Sequence, residues 1–451
     1  MEFNTLKLYN RFVATFSKYR VPFFFLVIIF VISGTFLTIL FARGYRFDYT
    51  NKKIKPTGLL VAASVPIGAQ VYVNGKLETA TNNTLNLEPG TYNIRIQKES
   101  YIPWEKKLLI EKELVSQADV LLFLKLPDIR PITFTGISNP QACTDSSKIL
   151  FLVPLSASNT KNATSSAILK QDAGVWVIDL NDYPLGLGRP PRQIAKSLIN
   201  FDFSKAVLIW SPDCREILAD FSPSAKYLLP ADQLNQINNL VNISSDYPAL
   251  LALWQKEIQT KFESKFKKVP EKLQPILLSS AVNITFSPDS TKVLYVATAS
   301  AQIPDLLIPL VPASSSQKEN RNIEAQKVYV YDLKEDKNFE ISNFQIPISK
   351  PTPTPKKTKS TTKVNKSDQL LTLNFELLTP KWFPSSRHLI WIKDNKIVIC
   401  EFDNTNFAEI YSGSFIKPFL FTTGGNNKVV VVTQIDASTK QQPDLFEVNL
   451  R

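Results

Sequence analysis

A single histidine, His388, holds all of this chain's capacity for imidazole acid-base work. It precedes the apolar run Leu389-Ile390-Trp391, and the chain has no Gly-x-Ser-x-Gly elbow. Ser-His-Asp chemistry therefore lacks a framework, and His388 reads as a strand-edge residue. Cys143, Cys214 and Cys400 are scattered without metal-ligand spacing. Flanking strand-like runs, they read as buried free thiols, the other arrangement being one disulfide with one cysteine left over. Asp213 and Asp289 each follow Ser-Pro. They most simply cap turns that start strands, because equivalent turns of different repeats need not bring two carboxylates face to face as a glycosidase requires. No phosphate loop or ligand cluster stands out, so the residues assign no catalytic, cofactor-binding or metal site and no cofactor.

The element that positions everything else lies near the start. Between Arg20 and Arg43 the run VPFFFLVIIFVISGTFLTILFA carries no charge. As a helix it rises about 33 Å, enough to cross a hydrocarbon layer. Its hydroxyls, Ser33, Thr35 and Thr38, can bond back to the helix backbone, and no polar stripe of the kind a soluble core helix keeps is present. Residues 22–42 are thus expected to be a transmembrane helix with Pro22 in its first turn, after a basic tail at 1–21 and before a linker at 43–56. Leu40-Phe41-Ala42-Arg43 offers no clear small-residue cleavage site, which favours a retained signal-anchor in the cytoplasmic membrane. Charge alone does not orient it, since Lys7, Arg11, Lys18 and Arg20 before the span nearly balance Arg43, Arg46, Lys52, Lys53 and Lys55 after it. The long C-terminal part and the domain types in it favour a cytoplasmic N-terminus and an extracytoplasmic body.

The formal net charge is +12. Its excess sits in those membrane flanks and in the lysines of residues 350–366, and the rest of the chain is near neutral. Nucleic-acid binding, which needs clustered charge on a folded face, is disfavoured.

Residues 57–126 alternate short strands with firm turns. Asn74-Gly75 tolerates positive φ at both positions and marks a tight hairpin, and Pro89-Gly90 marks a second turn. Strands are expected over 57–63, 69–73, 85–87, 91–96, 107–110 and 120–124, in a small antiparallel β-sandwich with Tyr92, Tyr101 and Trp104 filling its core or, alternatively, forming a platform for sugar or peptide. Pro66-Ile67-Gly68-Ala69, Val71-Tyr72-Val73-Asn74-Gly75, Leu87-Glu88-Pro89-Gly90-Thr91-Tyr92 and Tyr101-Ile102-Pro103-Trp104-Glu105 together resemble the PEGA domain family. Ile67 departs from the family's name motif, but the turn needs the proline and glycine more than the acid. The resemblance implies a noncatalytic module of bacterial envelope proteins.

From about residue 132 a unit recurs. Ser287-Pro288-Asp289-Ser290 turns into Lys292-Val293-Leu294-Tyr295-Val296, and related fragments are Ser211-Pro212-Asp213, Trp382-Phe383-Pro384-Ser385 and Thr144-Asp145-Ser146-Ser147. Radial packing of small sheets explains such repetition. These repeats resemble bacterial WD-repeat-like and Tol-type β-propellers over 132–451. Length suggests seven blades at about 45 residues each, whereas five or six units are visible. A Ser/Asn/Ala-rich stretch at 155–169 reads as a surface loop. Residues 248–277 carry Leu250, Leu253, Trp254, Ile258 and Phe262 at helical spacing, a rim-packing helix anchored by Trp254. The Pro/Thr/Lys-rich stretch at 349–367 reads as an extended, disordered segment.

The whole reads as an all-β extramembrane body, a small β-sandwich plus an irregular β-propeller, on one N-terminal transmembrane helix. The function expected is a membrane-anchored, noncatalytic envelope scaffold that binds a protein, a peptide or a cell-wall glycan and meets the lipid bilayer through 22–42. Alternatives are a carboxylate-based propeller enzyme and an envelope sensor working through a membrane partner.

Overall fold

The computed structural model describes residues 2–48, 53–155, 172–180, 190–309, 311–344, 379–425, 427–434 and 442–451, with side chains of the N-terminal helix from Pro22 onward. The stretch at 349–367 and nearly all of that at 155–169 lie outside the described residues. Contacts divide the chain into two compact units. One comprises Met1–Ile96, Lys107–Leu121 and Pro312–Ser316, the other Gln97–Lys106, Leu122–Val311 and Gln317–Arg451.

The first unit opens with helix α1, Glu2–Ala42, so Pro22 lies inside the helix rather than in its first turn. Pro22–Ala42 is long and apolar enough to span a membrane, and none of it is buried in the protein. The helix stops at Gly44, whose φ of +91° an L side chain resists. The Gly44 N–H bonds the Phe41 carbonyl at 3.1 Å and the Tyr45 N–H bonds that of Leu40 at 3.0 Å. This paired capping satisfies two carbonyls the helix end would otherwise leave open. A short ribbon of β1 (Arg46–Asp48) and β2 (Lys53–Lys55) follows.

The rest of this unit is built around two sheets. Strands β3 (Gly58–Val65), β4 (Gln70–Val73), β5 (Lys76–Ala80), β6 (Asn83–Leu87), β7 (Gly90–Gln97), β8 (Trp104–Ile110) and β9 (Val115–Leu121) form sheets of order β6-β3-β9 and β5-β4-β7-β8. Residue 106 of β8 belongs to the second unit and residue 107 to the first. Asn74 and Gly75, at φ +51° and +84°, make the β4–β5 hairpin. The expected all-antiparallel arrangement does not hold, because β3 and β9 pair in parallel. The first and last strands of the segment meet side by side after the intervening strands have folded between them, which permits a parallel pair. The last strand also lies at 115–121 rather than 120–124. Ser116, Ala118 and Val120 alternate inward along it, a period-two face that the richer apolar run after Val120 disguises in the sequence.

The second unit holds β10 (Asp128–Pro131), then the antiparallel sheet β11 (Ser138–Ala142), β12 (Lys148–Val153), β13 (Gly174–Asp179) and β14 (Arg192–Lys196). Next come β15 (Val207–Trp210), β16 (Glu216–Asp220) and β17 (Lys226–Pro230). Helices α2 (Tyr247–Phe266) and α3 (Gln274–Ser280) precede β18 (Ala281–Phe286) and β19 (Lys292–Ala297). A ribbon of β20 (Ala301–Gln302) and β21 (Asn322–Ile323) leads to β22 (Val328–Asp332) and β23 (Lys337–Glu340), which complete the sheet begun by β18 and β19. Strands β24 (Lys381–Trp382), β25 (His388–Lys393), β26 (Lys396–Glu401) and β27 (Ala408–Tyr411) form another. Finally β28 (Leu420–Thr422), β29 (Lys428–Thr433) and β30 (Asp444–Asn449) join β10, in the order β10-β30-β29-β28. Five sheets of three or four strands thus stand in this unit among the described residues.

The interior strands β12, β16, β19, β22, β26 and β29 are largely buried, as strands covered on both faces should be. Val293 to Ala297 and Val429 to Val432 are almost inaccessible. In helix α2 the expected anchor Trp254 is half-buried. Leu253 and Ile258 are exposed, whereas Phe262 and Phe266 stack on each other at 5.2 Å and join Tyr295, Tyr329 and Tyr331 in the core. The helix meets this core through its C-terminal turns, while Leu250 and Trp254 nearer its start are half-buried.

Candidate functional site

One turn geometry recurs at the link between the first and second strands of four sheets. Its first residue is Cys143, Ser211, Ser287 or Phe383, and its fourth is Ser146, Cys214, Ser290 or Ser386. In every copy the fourth residue sits at a φ between +57° and +59° and donates its N–H to the carbonyl of the first. The first residue's own N–H bonds the carbonyl five positions on, at 2.9 to 3.0 Å. The third residue ties the turn from inside. Asp213 Oδ1 accepts from Ser211 Oγ at 2.6 Å and from the Arg215 N–H at 3.1 Å, and Asp289 repeats both bonds with Ser287 and Thr291. Asp213 and Asp289 are therefore capping residues.

These turns and the strands before them enclose a cavity of about 940 Å³. Its wall is taken from β11, β18, β24 and β28, edge strands of four sheets, and from β19 and β22, together with Cys143 to Ser146, Pro288 and Pro384 from three of the turns. Apolar Ile284, Phe286, Leu294, Val296 and Trp382 alternate there with Thr285, Thr422, Thr423 and Asn283. Lys265 and Lys381 supply positive charge, and Asp145 is the one carboxylate among the described lining residues.

Asp145 is also where two cysteines meet. Cys143 Sγ donates to its Oδ1 at 2.8 Å and Cys214 Sγ to the same oxygen at 3.1 Å. Burial pushes the Asp145 carboxyl up, but bonds from Cys143, Ser147 and Cys214 outweigh it and hold the carboxyl at about 2. The Cys143 thiol is pushed up, first by its interaction with Cys214 and then by burial. The turns are locked together around this group. Thr144 Oγ1 donates to the Pro212 carbonyl at 2.9 Å, and Lys148 Nζ to the Cys214 carbonyl at 2.8 Å. Spacing in the sequence hides this convergence, because the two cysteines come from turns of different sheets. The third cysteine, Cys400, is buried in β26 without a partner thiol.

A second polar cluster is largely buried. Lys106 Nζ bonds Glu401 Oε2 at 2.9 Å and also contacts Asp403, while the Trp104 indole N–H donates to Glu401. Trp104 is therefore a core residue with its polar atom spent, rather than part of a ligand platform. Burial raises the Glu401 carboxyl, yet Lys106 and His388 outweigh it and bring it to about 2. His388 faces Glu401 across the β25–β26 pair and lies edge-on to Phe123 at 5.3 Å. It is buried rather than at an exposed strand edge, with Nδ1 2.9 Å from Ser385 Oγ. Ser385 Oγ is already engaged as acceptor of the Arg387 N–H in its turn. His388 and Glu401 are thus buried and Ser385 is half-buried, with the Ser385 hydroxyl shared between the imidazole and its own turn.

Residues 57–122 match the PEGA domain family. No curated protein matches the chain in sequence. A solved chain described as "putative TolB from Agrobacterium tumefaciens" is similar over 69% of this chain and 78% of its own length, at 11% identity and a TM-score of 0.20.

Proposed function

We propose that this chain is a membrane-tethered, noncatalytic binding scaffold of the cell envelope. Helix α1 serves as a retained anchor with its N-terminus in the cytoplasm, and both β-rich units stand outside. The observation that carries the reading is the segment Pro22–Ala42, apolar throughout and with none of it buried against the rest of the protein. Such a surface calls for lipid, because in water it would expose about twenty side chains that the body does not cover. The PEGA match beginning fifteen residues later supports an envelope setting.

The five sheets of the second unit are, in this proposal, blades of an irregular β-propeller. Three features support it: the repeated turn, edge strands of four sheets gathered along one cavity, and the joining of β10 to β30 in a single sheet. The cavity is the binding surface for an envelope protein, a peptide or a glycan strand. Its wall offers one carboxylate, whereas a paired-carboxylate hydrolase needs two at a defined separation.

Protease accessibility and crosslinking together test the proposal. In intact cells with a permeabilised envelope, the body should be digested from outside the cytoplasmic membrane and the N-terminus protected. A photo-crosslinking residue at Thr285, in the cavity wall, should capture a discrete envelope component, and one at the exposed Leu253 should not. A cytoplasmic body overturns the orientation, and equal labelling from both positions overturns the cavity as the binding surface.

A further inference from the structure

Neighbouring turns touch at two places among the described residues: the Asp289 N–H bonds Ser386 Oγ at 3.0 Å at one, and two of the three cysteines sit at the other. The turn itself explains neither of them. Cys143 stands where Ser211 and Ser287 do, and a hydroxyl there makes the same bond to the third-position aspartate. Cys214 stands where Ser146, Ser290 and Ser386 do. Serine therefore satisfies the geometry at both positions, and the exchange to sulfur occurs at the two sites that point at one carboxylate oxygen.

We propose that Cys143, Cys214 and Asp145 form a binding site for a thiophilic d¹⁰ cation of the Zn²⁺ class. The two sulfurs and a carboxylate oxygen lie within 4.8 Å of one another. A tetrahedral shell with metal bonds of about 2.0 to 2.3 Å has edges of about 3.5 Å, so the sulfur–oxygen distances of 2.8 and 3.1 Å need open by only a few tenths of an ångström, and the two sulfurs, within 4.8 Å of each other, need close by about 1 Å at most. Two thiolates with one carboxylate are a donor set that selects Zn²⁺ over hard cations. The donors are held before any ion arrives, since both turns are closed by their own backbone bonds and joined by Thr144 and Lys148. Binding releases two thiol protons to solvent and leaves a complex of net charge −1. The Lys148 ammonium, already on the Cys214 carbonyl, supplies the nearest counter-charge. Cys143 and Asp145 also line the cavity, which gives an ion a route in and leaves room for a fourth donor from a bound molecule or water.

The full chain in detergent, reduced and free of metal, is the material for the test. Zn²⁺ is titrated against a chromogenic chelator, and Cd²⁺ is added separately to read the ultraviolet thiolate-to-metal charge-transfer band. One ion per chain is expected, with Cys143→Ser and Cys214→Ser each weakening it at least about a hundredfold and Asp145→Asn about tenfold or more. Cys400→Ser should change nothing. Because serine already occupies both turn positions elsewhere in this chain, the serine variants should keep wild-type circular dichroism. Binding that survives the double serine variant overturns the site, as does Cd²⁺ binding without the thiolate band. So does a Cys143–Cys214 disulfide, found by trapping free thiols with an alkylating reagent at cell lysis and measuring intact mass.

Discussion

His388 shows how one residue can look catalytic in a sequence and act structurally in the fold. Its ring is enclosed by Phe123 and Phe383, and burial is the largest influence on its basicity, bringing it down to about 4 from 6.5. Glu401 pulls it the other way, and Arg387 and Lys106 reinforce the burial effect. The unfolded chain therefore binds a proton on this residue at a pH where the folded chain does not. Its contribution is fully present above pH 6.5 and is progressively lost as pH falls from 6.5 to 4. At pH 5 the loss should be about 2 kcal/mol relative to pH 7.5, read from urea midpoints. His388→Gln should flatten that portion of the profile. Glu401, held at about 2, contributes a separate loss that begins only below its ordinary 4.5. A wild-type profile that stays level between pH 7.5 and 5 would remove the buried neutral imidazole from the account.

At the scale of elements, the clearest device is the junction of α1 with the sheets of its own unit. Gly44 ends the helix, and its carbonyl then accepts the Thr57 N–H at 3.1 Å and the Thr57 hydroxyl, while Tyr45 Oη donates to Glu113 Oε1 at 2.9 Å. The span is thus fixed to β3 and to the turn before β9, not joined by a slack linker. A Cβ at Gly44 would lie 3.1 Å from the Thr57 carbonyl oxygen, at a φ of +91°. Gly44→Ala should cost about 1 kcal/mol locally and speed limited proteolysis between residues 43 and 57, with the thermal transition of the second unit unchanged. Equal cleavage rates would mean that the capping bonds do not restrain the junction. Elements of this kind were partly legible in the sequence. Asn74-Gly75 announced its hairpin because the backbone there demands positive φ, and the PEGA segment announced itself through spaced turn residues. Strand β9 was misplaced because its inward face is Ser116, Ala118 and Val120, two small residues and one valine, beside a far more apolar run. In α2, periodicity reports which residues share a face, not that Phe262 and Phe266 at one end of it join the core. The meeting of Cys143 and Cys214 lies beyond sequence patterning, since it depends on two turns 68 positions apart becoming neighbours.

Across the whole of the second unit, the most consequential pairing is between its beginning and its end. Strand β30 is an interior strand, held by β10 on one side and β29 on the other. Leu445, Phe446, Val448 and Leu450 are all buried, and Leu445 packs with Ile149 and Phe151 of the next sheet. The Leu445 N–H bonds Thr133 Oγ1 at 2.9 Å, and Asp444 Oδ1 accepts from Thr133 Oγ1 and from the Gly136 N–H. Removing residues 443–451 would delete four core side chains, each worth about 1.5 to 3 kcal/mol, and would leave β10 without its ladder and β29 paired on one side only. That sum is comparable with the roughly 5 to 15 kcal/mol that separates a folded domain from its unfolded chain. The expected result is loss of the cooperative thermal transition of the entire unit, with rapid proteolysis across its sheets. Leu445→Ala, a smaller insult at the same place, should keep the transition but lower stability by about 3 kcal/mol. If the truncated chain instead melts cooperatively near the wild-type temperature, the sheets stand independently, and the β10–β30 pairing closes nothing that the rest of the unit needs.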